Sequence, residues 1–279
     1  MIPLPYLTLY RIRGADAAAF LQAQLAADTA SLGAGASGFA AWCSPRGQVI
    51  ALLLVCREGD DWLLACEARL ADPVFSRLRR YVLRARVEIE PLGGTALAGL
   101  PAGEVVTAGM SALEPRQSRL RYAIVNMATV PEGAYTRGTH PEPWRAAELK
   151  HGVAWLQPAT SERFLPQMLG LDQIGAVSFS KGCYPGQEIV ARTRYLGKLK
   201  RKPVLLEVQG DQPIPAGEPC TVDSTGQAVD AVIIEAAASE NAVTLVLVVA
   251  PLEEEAPVGT LTVAGRTWTA RRVTPVWTR

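Results

Sequence analysis

The chain has 279 residues, 49% of them hydrophobic, and its 28 basic and 27 acidic residues leave a formal net charge of +1. This length suffices for two packed units with a substantial core, whereas the nearly cancelled charge argues against a general nucleic-acid binder, which needs a strongly basic surface. No apolar run reaches about 18 residues, so we expect no membrane-spanning helix, and the N-terminal sequence MIPLP lacks the basic and apolar regions of a signal peptide.

The first 200 residues alternate between strand and helix patterns. A short β-rich segment at 6–12 predicts the first strand, and Asp16 is placed to cap a helix whose apolar face includes Phe20 and Leu25. The acidic turn at 58–61 lies between two apolar runs and predicts a hairpin. Further strands are predicted at 49–56, 62–66, 87–89 and 119–125, a loop at 33–38, and helices at 141–151 and at 70–81, the latter with Pro73 near its start; the segment 91–116 receives no assignment.

The C-terminal third changes to β-branched runs separated by glycine and proline turns. Short strands at this spacing are typical of a small antiparallel barrel. We therefore expect an α+β body over residues 1–200 and a C-terminal β-barrel over residues 201–279. The barrel strands are predicted at 204–208, 220–222, 229–234, 242–249, 261–263 and 267–273.

One octapeptide carries the most chemical information in the chain, KGCYPGQE at 181–188. Its thiol, Cys183, lies between two glycines and near Lys181, and a proline after it leads to a carboxylate. Glycine permits a positive φ or a close approach to a ligand, and proline fixes the exit of the turn. A nearby ammonium favours the thiolate, which is the reactive form of cysteine. The alternative is an ordinary tight turn whose cysteine fills a small apolar space.

The octapeptide resembles the signature of the YgfZ-type folate-binding proteins, a KGCYxGQE pattern. The similarity spans residues 8 to about 202, which is most of the chain. Its further matching segments are GAD (14–16), FLQAQ (20–24), Asp28, WCSPRG (42–47), FLPQ (164–167), GAVSF (175–179), IVAR (189–192) and LG (196–197).

The resemblance implies a fold similar to that of the aminomethyltransferase (T-protein) of the glycine cleavage system. It also implies tetrahydrofolate or a derivative as ligand, and iron–sulfur client or assembly proteins as partners in cluster assembly or repair. Some members of the family bear an older label that links them to tRNA modification. T-proteins generally lack the cysteine of this turn, so Cys183 marks the thiol-bearing branch rather than the methylene-transfer branch.

Within the octapeptide we assign Cys183 as the candidate functional thiol. Lys181 either holds the thiolate or points to solvent. Gly182, Tyr184 and Gly186 are expected to shape the turn.

The end of the octapeptide is expected to begin a short helix. Gln187 and Glu188 start it, and a carboxylate in the first turn suits the helix dipole, a structural role that stands beside a chemical one for Glu188. Arg192 ends it and opens a basic run, which also contains Arg194, Lys198, Lys200, Arg201 and Lys202. We rank the glutamate tail of folate or an acidic partner above RNA as the target of this run. Sites for single-stranded RNA usually combine basic residues with aromatic ones that stack on the bases, and Tyr195 is the only aromatic residue within the run.

Three further residues are candidates for folate binding by the resemblance. Trp144 corresponds to an aromatic that lines the folate opening, with an ordinary core tryptophan as the alternative. Leu7, next to Tyr6, stands where some members carry a second tryptophan, and this departure predicts weaker folate binding. Asp28 falls where the family has an aspartate near the opening, and it also suits the end of a helix.

The remaining cysteines and the histidines give weaker signals. An odd, scattered set of five cysteines without a CxxC pair indicates reduced thiols in a cytoplasmic protein. Cys43 is a second candidate thiol, for example a resolving one, while Cys56, Cys66 and Cys220 lie in apolar β contexts and are predicted to be inert. The two histidines, His140 and His151, suggest a structural or surface position, and we expect no stably bound metal.

The residues and the family resemblance together leave three functions open. The first is a tetrahydrofolate-binding accessory protein that uses Cys183 in iron–sulfur cluster assembly or repair. Since stable ligation usually needs four protein ligands, any cluster contact would be shared with a partner or with a second copy of the chain. The second is a folate-dependent one-carbon (aminomethyl) transferase. The third is a tRNA-modification factor, which rests on the basic run and on the older label of the family.

Overall fold

Fifteen strands and four α-helices make up the described part of the chain, which is residues 1–130, 141–197, 199–210, 213–224, 226–239, 241–251 and 257–276 of a computed structural model. The strands are β1 (Ile2–Pro3), β2 (Leu7–Arg13), β3 (Ser37–Cys43), β4 (Val49–Glu58), β5 (Asp61–Glu67), β6 (Glu88–Pro91), β7 (Thr95–Gly99), β8 (Met110–Leu113), β9 (Tyr122–Asn126), β10 (Lys202–Gln209), β11 (Pro219–Ser224), β12 (Gln227–Ala238), β13 (Val243–Ala250), β14 (Thr260–Val263) and β15 (Arg266–Val273). The helices are α1 (Ala17–Gln24), α2 (Ala68–Arg79), α3 (Glu142–Lys150) and α4 (Gln187–Tyr195), with short 3-10 turns at Thr29–Ser31 and Pro166–Leu169.

Two antiparallel sheets form the N-terminal part of the fold. The larger has the strand order β3-β4-β5-β2-β6, and the smaller has the order β1-β7-β9-β8. The hairpin predicted at 58–61 is confirmed, since Glu58 pairs with Asp61 and Gly59 takes a φ of +62° in the turn. The smaller sheet draws two strands from the unassigned segment 91–116, and these are short runs that become strands by pairing with β9.

The predicted C-terminal barrel is confirmed. Its six strands close in the order β10-β13-β12-β11-β14-β15, and every pairing between them is antiparallel. Each predicted barrel strand lies in one of these six strands or overlaps it. With helices packed on antiparallel sheets beside this barrel, the fold class is α+β, as expected.

Strand β13 is buried on both of its faces, one in the interior of the barrel and the other in the main core of the molecule. Val246 and Val248 belong to the apolar interior of the barrel, whereas Leu245, Leu247 and Val249 belong to the main core of the molecule. Successive strand residues point to opposite sides, so a strand buried on both sides reads as one continuous apolar run. This run is why the sequence predicts a strand here without showing which side faces the barrel.

Helix starts differ from their prediction in two places. Asp16 occupies the cap position of α1 but makes no side-chain hydrogen bond to that helix; its carboxylate instead accepts the backbone N–H of Arg86, at 2.8 Å. Helix α2 begins earlier than predicted because the carboxylate of Glu67 accepts the backbone N–H groups of Arg69 and Leu70. Pro73 therefore lies inside α2 rather than in its first turn.

Among the helices in the described ranges, none combines the length and the apolar character that a membrane crossing needs.

Candidate functional site

A cavity of about 540 Å³ opens between residues 27–32 after α1, strand β3, residues 116–117, the segment 172–180 and the end of α4. We name it the first cavity. Gly175 makes room in its wall: the residue has a φ of +73°, and a Cβ there would lie 2.6 Å from the side-chain oxygen of Gln117. The described lining includes Asp28, Arg116, Gln117, Asp172, Gln173, Phe39, Phe179, Ser178, Ser180, Arg194 and Tyr195.

Two carboxylates and two guanidinium groups line the first cavity. Asp28 is exposed, and its carboxylate accepts a hydrogen bond from Gln22 Nε2 at 2.9 Å. Asp172 is paired loosely with Arg194, with 3.8 Å between the nearest nitrogen and oxygen. Arg116 donates to Ser31 Oγ at 3.2 Å. The cavity thus presents carboxylates and guanidinium groups to the same space.

Aromatic rings line the side of the first cavity next to α4. Phe179 and Tyr195 meet edge to face with centroids 6.3 Å apart, and the guanidinium of Arg194 lies 5.3 Å from the centroid of Phe179. Tyr195 is 68% exposed, so much of its ring is open to solvent. Flat, partly polar ligands bind well to such faces.

The octapeptide turn lies beside this cavity and not in it. Cys183 is exposed, and nothing lies within 4 Å of a Cβ built on Gly182. The lining of the first cavity includes Ser178 and Ser180 before the turn, and Arg194 and Tyr195 at the end of the helix after it. The thiol therefore lies on a turn whose two flanking segments both form the cavity wall.

Gly186 fixes the exit of the turn by close contact with the WCSPRG segment. Its φ is +79°, and an added Cβ would lie 2.4 Å from the carbonyl oxygen of Ser44 and 2.6 Å from the Cα of Gly47. Glycine is required here for two reasons: the positive φ is unfavourable for other residues, and there is no space for a Cβ. Tyr184, in contrast, is buried, and burial raises the pKa of its hydroxyl. Two segments that sequence reasoning treated separately are therefore one packed unit.

The side chain of Lys181 does not point to solvent, and its hydrogen-bond partners are backbone carbonyl groups rather than the thiol. Its ammonium donates to the carbonyl oxygens of Gln22, Leu25 (2.6 Å) and Ala27 (3.0 Å), which cap the end of α1. Partial burial lowers its pKa from 10.5 to about 8, and the nearby carboxylate of Asp28 opposes this shift. Lys181 thereby ties the thiol turn to the α1 edge of the first cavity.

The helix predicted after the turn is longer than expected. Gln187 and Glu188 open α4, which runs to Tyr195, and Gln187 Nε2 donates back to the carbonyl of Lys181 at 3.3 Å. Glu188 and Arg192 are both exposed and pair across one helical turn at 2.9 Å. The structure thus places Arg192 on the outer face of α4 and outside the lining of the first cavity.

Trp144 and Leu7 lie in the core. Trp144 is 6% exposed, packs edge to face on Tyr122, and lies so close to Gly99 that a Cβ there would be 2.3 Å from the indole. Leu7 is buried in β2, opposite Glu67. Neither residue lines the first cavity, so their predicted contacts with folate stay predictions.

The prediction of an accessible second thiol is wrong. Cys43 is buried within β3, and desolvation raises its pKa to about 12. Cys56, Cys66 and Cys220 are also buried, and burial raises the pKa of each, as expected for packing thiols. His140 and Lys198 lie outside the described residues, and His151 Nδ1 lies 2.8 Å from the carbonyl oxygen of Ala147. The described chain contains no group of three or more His, Cys, Asp or Glu that could hold a metal ion.

Sequence reasoning missed a buried polar cluster on α3. Glu148 is 1% exposed and accepts hydrogen bonds from the hydroxyls of Tyr6, at 2.7 Å, and Tyr122, at 2.9 Å. Desolvation raises its pKa to about 8 despite these hydrogen bonds. The signal in the sequence was a carboxylate on the apolar face of the helix predicted at 141–151.

A second buried carboxylate connects α3 to the barrel. Glu235 of β12 accepts from Arg145 Nε at 3.1 Å and from the backbone N–H of Trp155 at 2.8 Å. Burial raises the pKa of Glu235, and the guanidinium of Arg145 opposes that shift. Arg145 also lies over the ring of Tyr6, 4.8 Å from its centroid. The two carboxylates thus share one polar junction between the body and the barrel.

A second cavity, of about 900 Å³, lies where α4 and the turn at Pro166–Leu169 meet strands β10 and β15. It shares Asp172, Gln173 and Arg194 with the first cavity, and its lining adds Lys202 and Arg272. Of the predicted basic run, the structure therefore brings Arg194 and Lys202 to this cavity. Lys200 and Arg201 are exposed and lie outside its lining.

Comparison with known proteins gives relatives over most of the chain, although no protein-family model matches it. A protein named tRNA-modifying protein YgfZ from Escherichia coli is 28% identical, with 78% of this chain and 76% of that protein covered. An uncharacterised Haemophilus influenzae protein is 29% identical, with 76% and 74% covered. Among solved structures, aminomethyltransferase T of the glycine cleavage system from Bartonella henselae matches with a TM-score of 0.68 and 17% identity, over 99% of this chain and 85% of that one.

These comparisons confirm two predictions made from the sequence. The relatives named YgfZ bear out the resemblance carried by the octapeptide. The structural match, at an identity that supports the fold alone, bears out the aminomethyltransferase-like architecture with its C-terminal barrel. The chain is thus a relative of the YgfZ proteins, built on the fold of aminomethyltransferase T.

Proposed function

We propose that this protein binds tetrahydrofolate, or a derivative of it, in the first cavity and uses the thiol of Cys183 to support iron–sulfur cluster assembly or repair. The observation that carries the proposal is the placement of the exposed thiol between two parts of the chain that line the cavity, residues 177–180 before the turn and Arg194 with Tyr195 at the end of the following helix. A ligand in the cavity would contact the segments that hold this turn. The aminomethyltransferase-like fold and the YgfZ relatives support the folate part of the proposal.

The residues of the first cavity fit a reduced folate. The pteridine ring carries adjacent N–H donors, and the exposed carboxylate of Asp28 is an acceptor that suits them. Gln117 and Gln173 supply amide donors and acceptors, and Phe179 and Tyr195 supply ring faces. The volume of about 540 Å³ lies within the usual range for small-molecule sites, roughly 300–1,000 Å³. A reduced folate, when bound, supplies or accepts a one-carbon unit.

The protein's own residues have distinct roles in this proposal. Asp28 orients the ring, and Phe179 with Tyr195 covers its face. Lys181 holds the thiol turn against α1 through three carbonyl groups, and Cys183 presents its sulfur outward to a partner. One cysteine cannot retain a cluster alone, so a client or assembly protein would provide the remaining ligands.

Titration calorimetry with tetrahydrofolate tests the folate part. Wild type and Cys183→Ala are expected to bind alike, and Asp28→Asn is expected to bind about tenfold more weakly because it loses a charged acceptor. Asp230→Asn is the matched control, since Asp230 is an exposed aspartate on β12 outside both cavities. An unchanged affinity in Asp28→Asn would move the ring away from this carboxylate, and no binding to wild type would refute the folate site.

The thiol part requires a readout in cells. In a strain that lacks the protein, the activity of an iron–sulfur enzyme is expected to recover with wild type and not with Cys183→Ala. Cys220→Ala serves as control because it removes a buried barrel thiol instead of the exposed one. Full recovery with Cys183→Ala would refute the role of the thiol.

A second candidate function is tRNA modification, favoured by the name of the relatives and by the exposed Lys200 and Arg201 at the end of the basic run. In that case affinity for tRNA should fall steeply with salt and with Lys200→Gln/Arg201→Gln, but not with Arg266→Gln on the barrel.

Aminomethyl transfer is the third candidate and rests on the fold. It predicts folate-dependent turnover that persists in Cys183→Ala.

A further inference from the structure

Large apolar side chains that are exposed to solvent lie mainly in two short segments. The described part of the chain has six of them, and all but Val105 lie within residues 81–83 and 189–196: Tyr81, Leu83, Ile189, Tyr195 and Leu196. Ile189 and Leu196 are seven positions apart along α4 and its C-cap, so they lie on the same side of this helix. Grouped apolar side chains at a surface mark interaction sites, whereas single ones are ordinary.

Both segments pack against the WCSPRG turn. The ring of Tyr81 meets that of Trp42 edge to face, with centroids 6.2 Å apart. A Cβ built on Gly47 would lie 3.1 Å from the Cβ of Ile189, and the thiol turn packs here as well, through Gly186. We name as the thiol-side surface the residues around this turn, which are Arg46, the loop 80–84, Cys183, Ile189 and Leu196.

Leu83 is the most exposed of these apolar side chains, at 88%, and its backbone is strained, with a φ of +46°. Its turn is closed by the N–H of Ala85, which donates to the carbonyl of Val82 at 2.8 Å. The turn is also anchored by the backbone N–H of Arg86, which donates to Asp16 at 2.8 Å. The fold thus holds a strained leucine in water, where it adds little to the core. Strained residues of this kind cluster at functional sites.

The charge around these apolar residues is positive. Arg46, Arg80 and Arg84 are exposed, and in the ranges that the structure describes their side chains have no hydrogen bond or ion pair. Arg192 of α4, in contrast, already pairs with Glu188 at 2.9 Å. Three guanidinium groups are therefore available to a partner that carries carboxylates, with which arginine forms bidentate hydrogen bonds.

The aliphatic side chains indicate which class of partner fits this surface. Single-stranded RNA stacks its bases on flat rings, whereas Leu83, Ile189 and Leu196 are branched and suit apolar pockets on a protein. Arginine and tyrosine are also enriched in protein interfaces. We infer that the thiol-side surface docks a protein whose contact area is an apolar patch bordered by carboxylates, and that it brings this partner to Cys183. The inference rests on the thiol part of the proposed function and specifies the chemistry of the partner's surface.

Photo-crosslinking on the full chain in cells tests the surface. The photoreactive amino acid p-benzoylphenylalanine is placed at Leu83, at Leu196 or, as the control, at the exposed Val105, which lies outside the surface. Mass spectrometry is expected to identify the same protein crosslinked from the first two positions and not from the third.

Charge reversal tests whether this partner is acidic. Arg80→Glu/Arg84→Glu is expected to reduce the crosslinking yield about tenfold, because repulsion replaces attraction. Arg266→Glu is the matched control, since Arg266 is an exposed arginine on β15 outside the surface. An unchanged yield after the charge reversal, or an equal loss in Arg266→Glu, overturns the acidic partner.

Leu83→Asn separates docking from stability. Asparagine tolerates a positive φ better than leucine does, so urea unfolding is expected to show a variant at least as stable as wild type. In the strain that lacks the protein, this variant is nevertheless expected to restore less activity of the iron–sulfur enzyme than wild type does.

The outcomes distinguish this inference from the proposed function. Full recovery with Leu83→Asn and with the charge reversal, while Cys183→Ala restores nothing, overturns the docking surface and leaves the role of the thiol standing. If Cys183→Ala also restores activity, the role of the thiol fails and the inference fails with it. Failure to crosslink the same protein from Leu83 and Leu196 overturns the common surface, and crosslinked products that nuclease removes assign it to RNA instead.

Discussion

The buried carboxylate of Glu148 makes the stability of this protein depend on pH near neutrality. Its pKa rises from 4.5 to about 8, mainly because burial disfavours the charged form. The folded state therefore holds a proton that the unfolded chain releases near pH 4.5. Between these two pKa values the folded state binds more protons, so the free energy of unfolding falls as pH rises.

The size of the effect follows from the shift. One proton of difference gives a slope of about −1.4 kcal/mol per pH unit, and the whole interval amounts to ~4–5 kcal/mol. Glu235 is also buried with a raised pKa, so it adds a slope of the same sign. Tyr6 and Tyr122 have pKa values raised further above their usual range, and they keep their protons throughout this interval.

Glu148→Gln isolates the contribution of this one group. The amide resembles the protonated acid in shape: its oxygen can accept from one of the two tyrosines, Tyr6 and Tyr122, and its NH2 group can donate to the hydroxyl oxygen of the other. Urea unfolding at pH 5.5, 6.5 and 7.5 is expected to show a variant whose stability, relative to wild type, improves by about 1.4 kcal/mol per unit. Parallel stability curves for the two proteins would show that Glu148 does not hold this proton, and the reasoning would be refuted.

Three further predictions concern the thiol turn. Gly186→Ala is expected to lower the free energy of unfolding by about 2–4 kcal/mol, because alanine is strained at a φ of +79° and its Cβ meets Ser44 and Gly47; Gly182→Ala, with open space around it, is the control and should be near neutral in urea unfolding. Lys181→Met is expected to cost about 2–3 kcal/mol through lost charged hydrogen bonds and to change the alkylation rate of Cys183, whereas Lys200→Met should do neither. Iodoacetamide at neutral pH, followed by peptide mass spectrometry, is expected to label Cys183 alone among the five cysteines, and rapid labelling of Cys43 in the native protein would contradict its burial.

The sequence predicts the elements of this fold better than it predicts the surroundings of individual side chains. The barrel strands and the hairpin at 58–61 follow from local alternation and turn residues, which is information that neighbouring residues carry. The sequence pattern predicts the start of α2 too late, because Glu67 is both the last residue of β5 and the acceptor for the first turn of the helix. A residue that serves two elements gives no clear signal to a local pattern.

In the candidate site, too, the sequence predicts local features better than the contacts of individual side chains. The octapeptide identified the exposed thiol, and its resemblance predicted the fold. The burial of Cys43, the core position of Trp144 and the partners of Lys181 depend on contacts between residues more than a hundred positions apart, or on packing between sheets. The lining of the first cavity comes from separate parts of the chain, residues 27–32, 38–40, 55, 116–117, 172–180 and 194–195, and no local sequence pattern identifies any of them as a cavity wall.

Strand β13 has a consequence for how this protein can be divided into fragments. A fragment limited to residues 201–279 would keep every strand pairing of the barrel, yet it would expose Leu245, Leu247 and Val249 to water. Such a stripe is a liability for solubility, since uncovered apolar patches promote self-association. The barrel is thus complete in its strand pairing, but the N-terminal part of the fold must cover its apolar stripe. The two parts are therefore best expressed as one polypeptide.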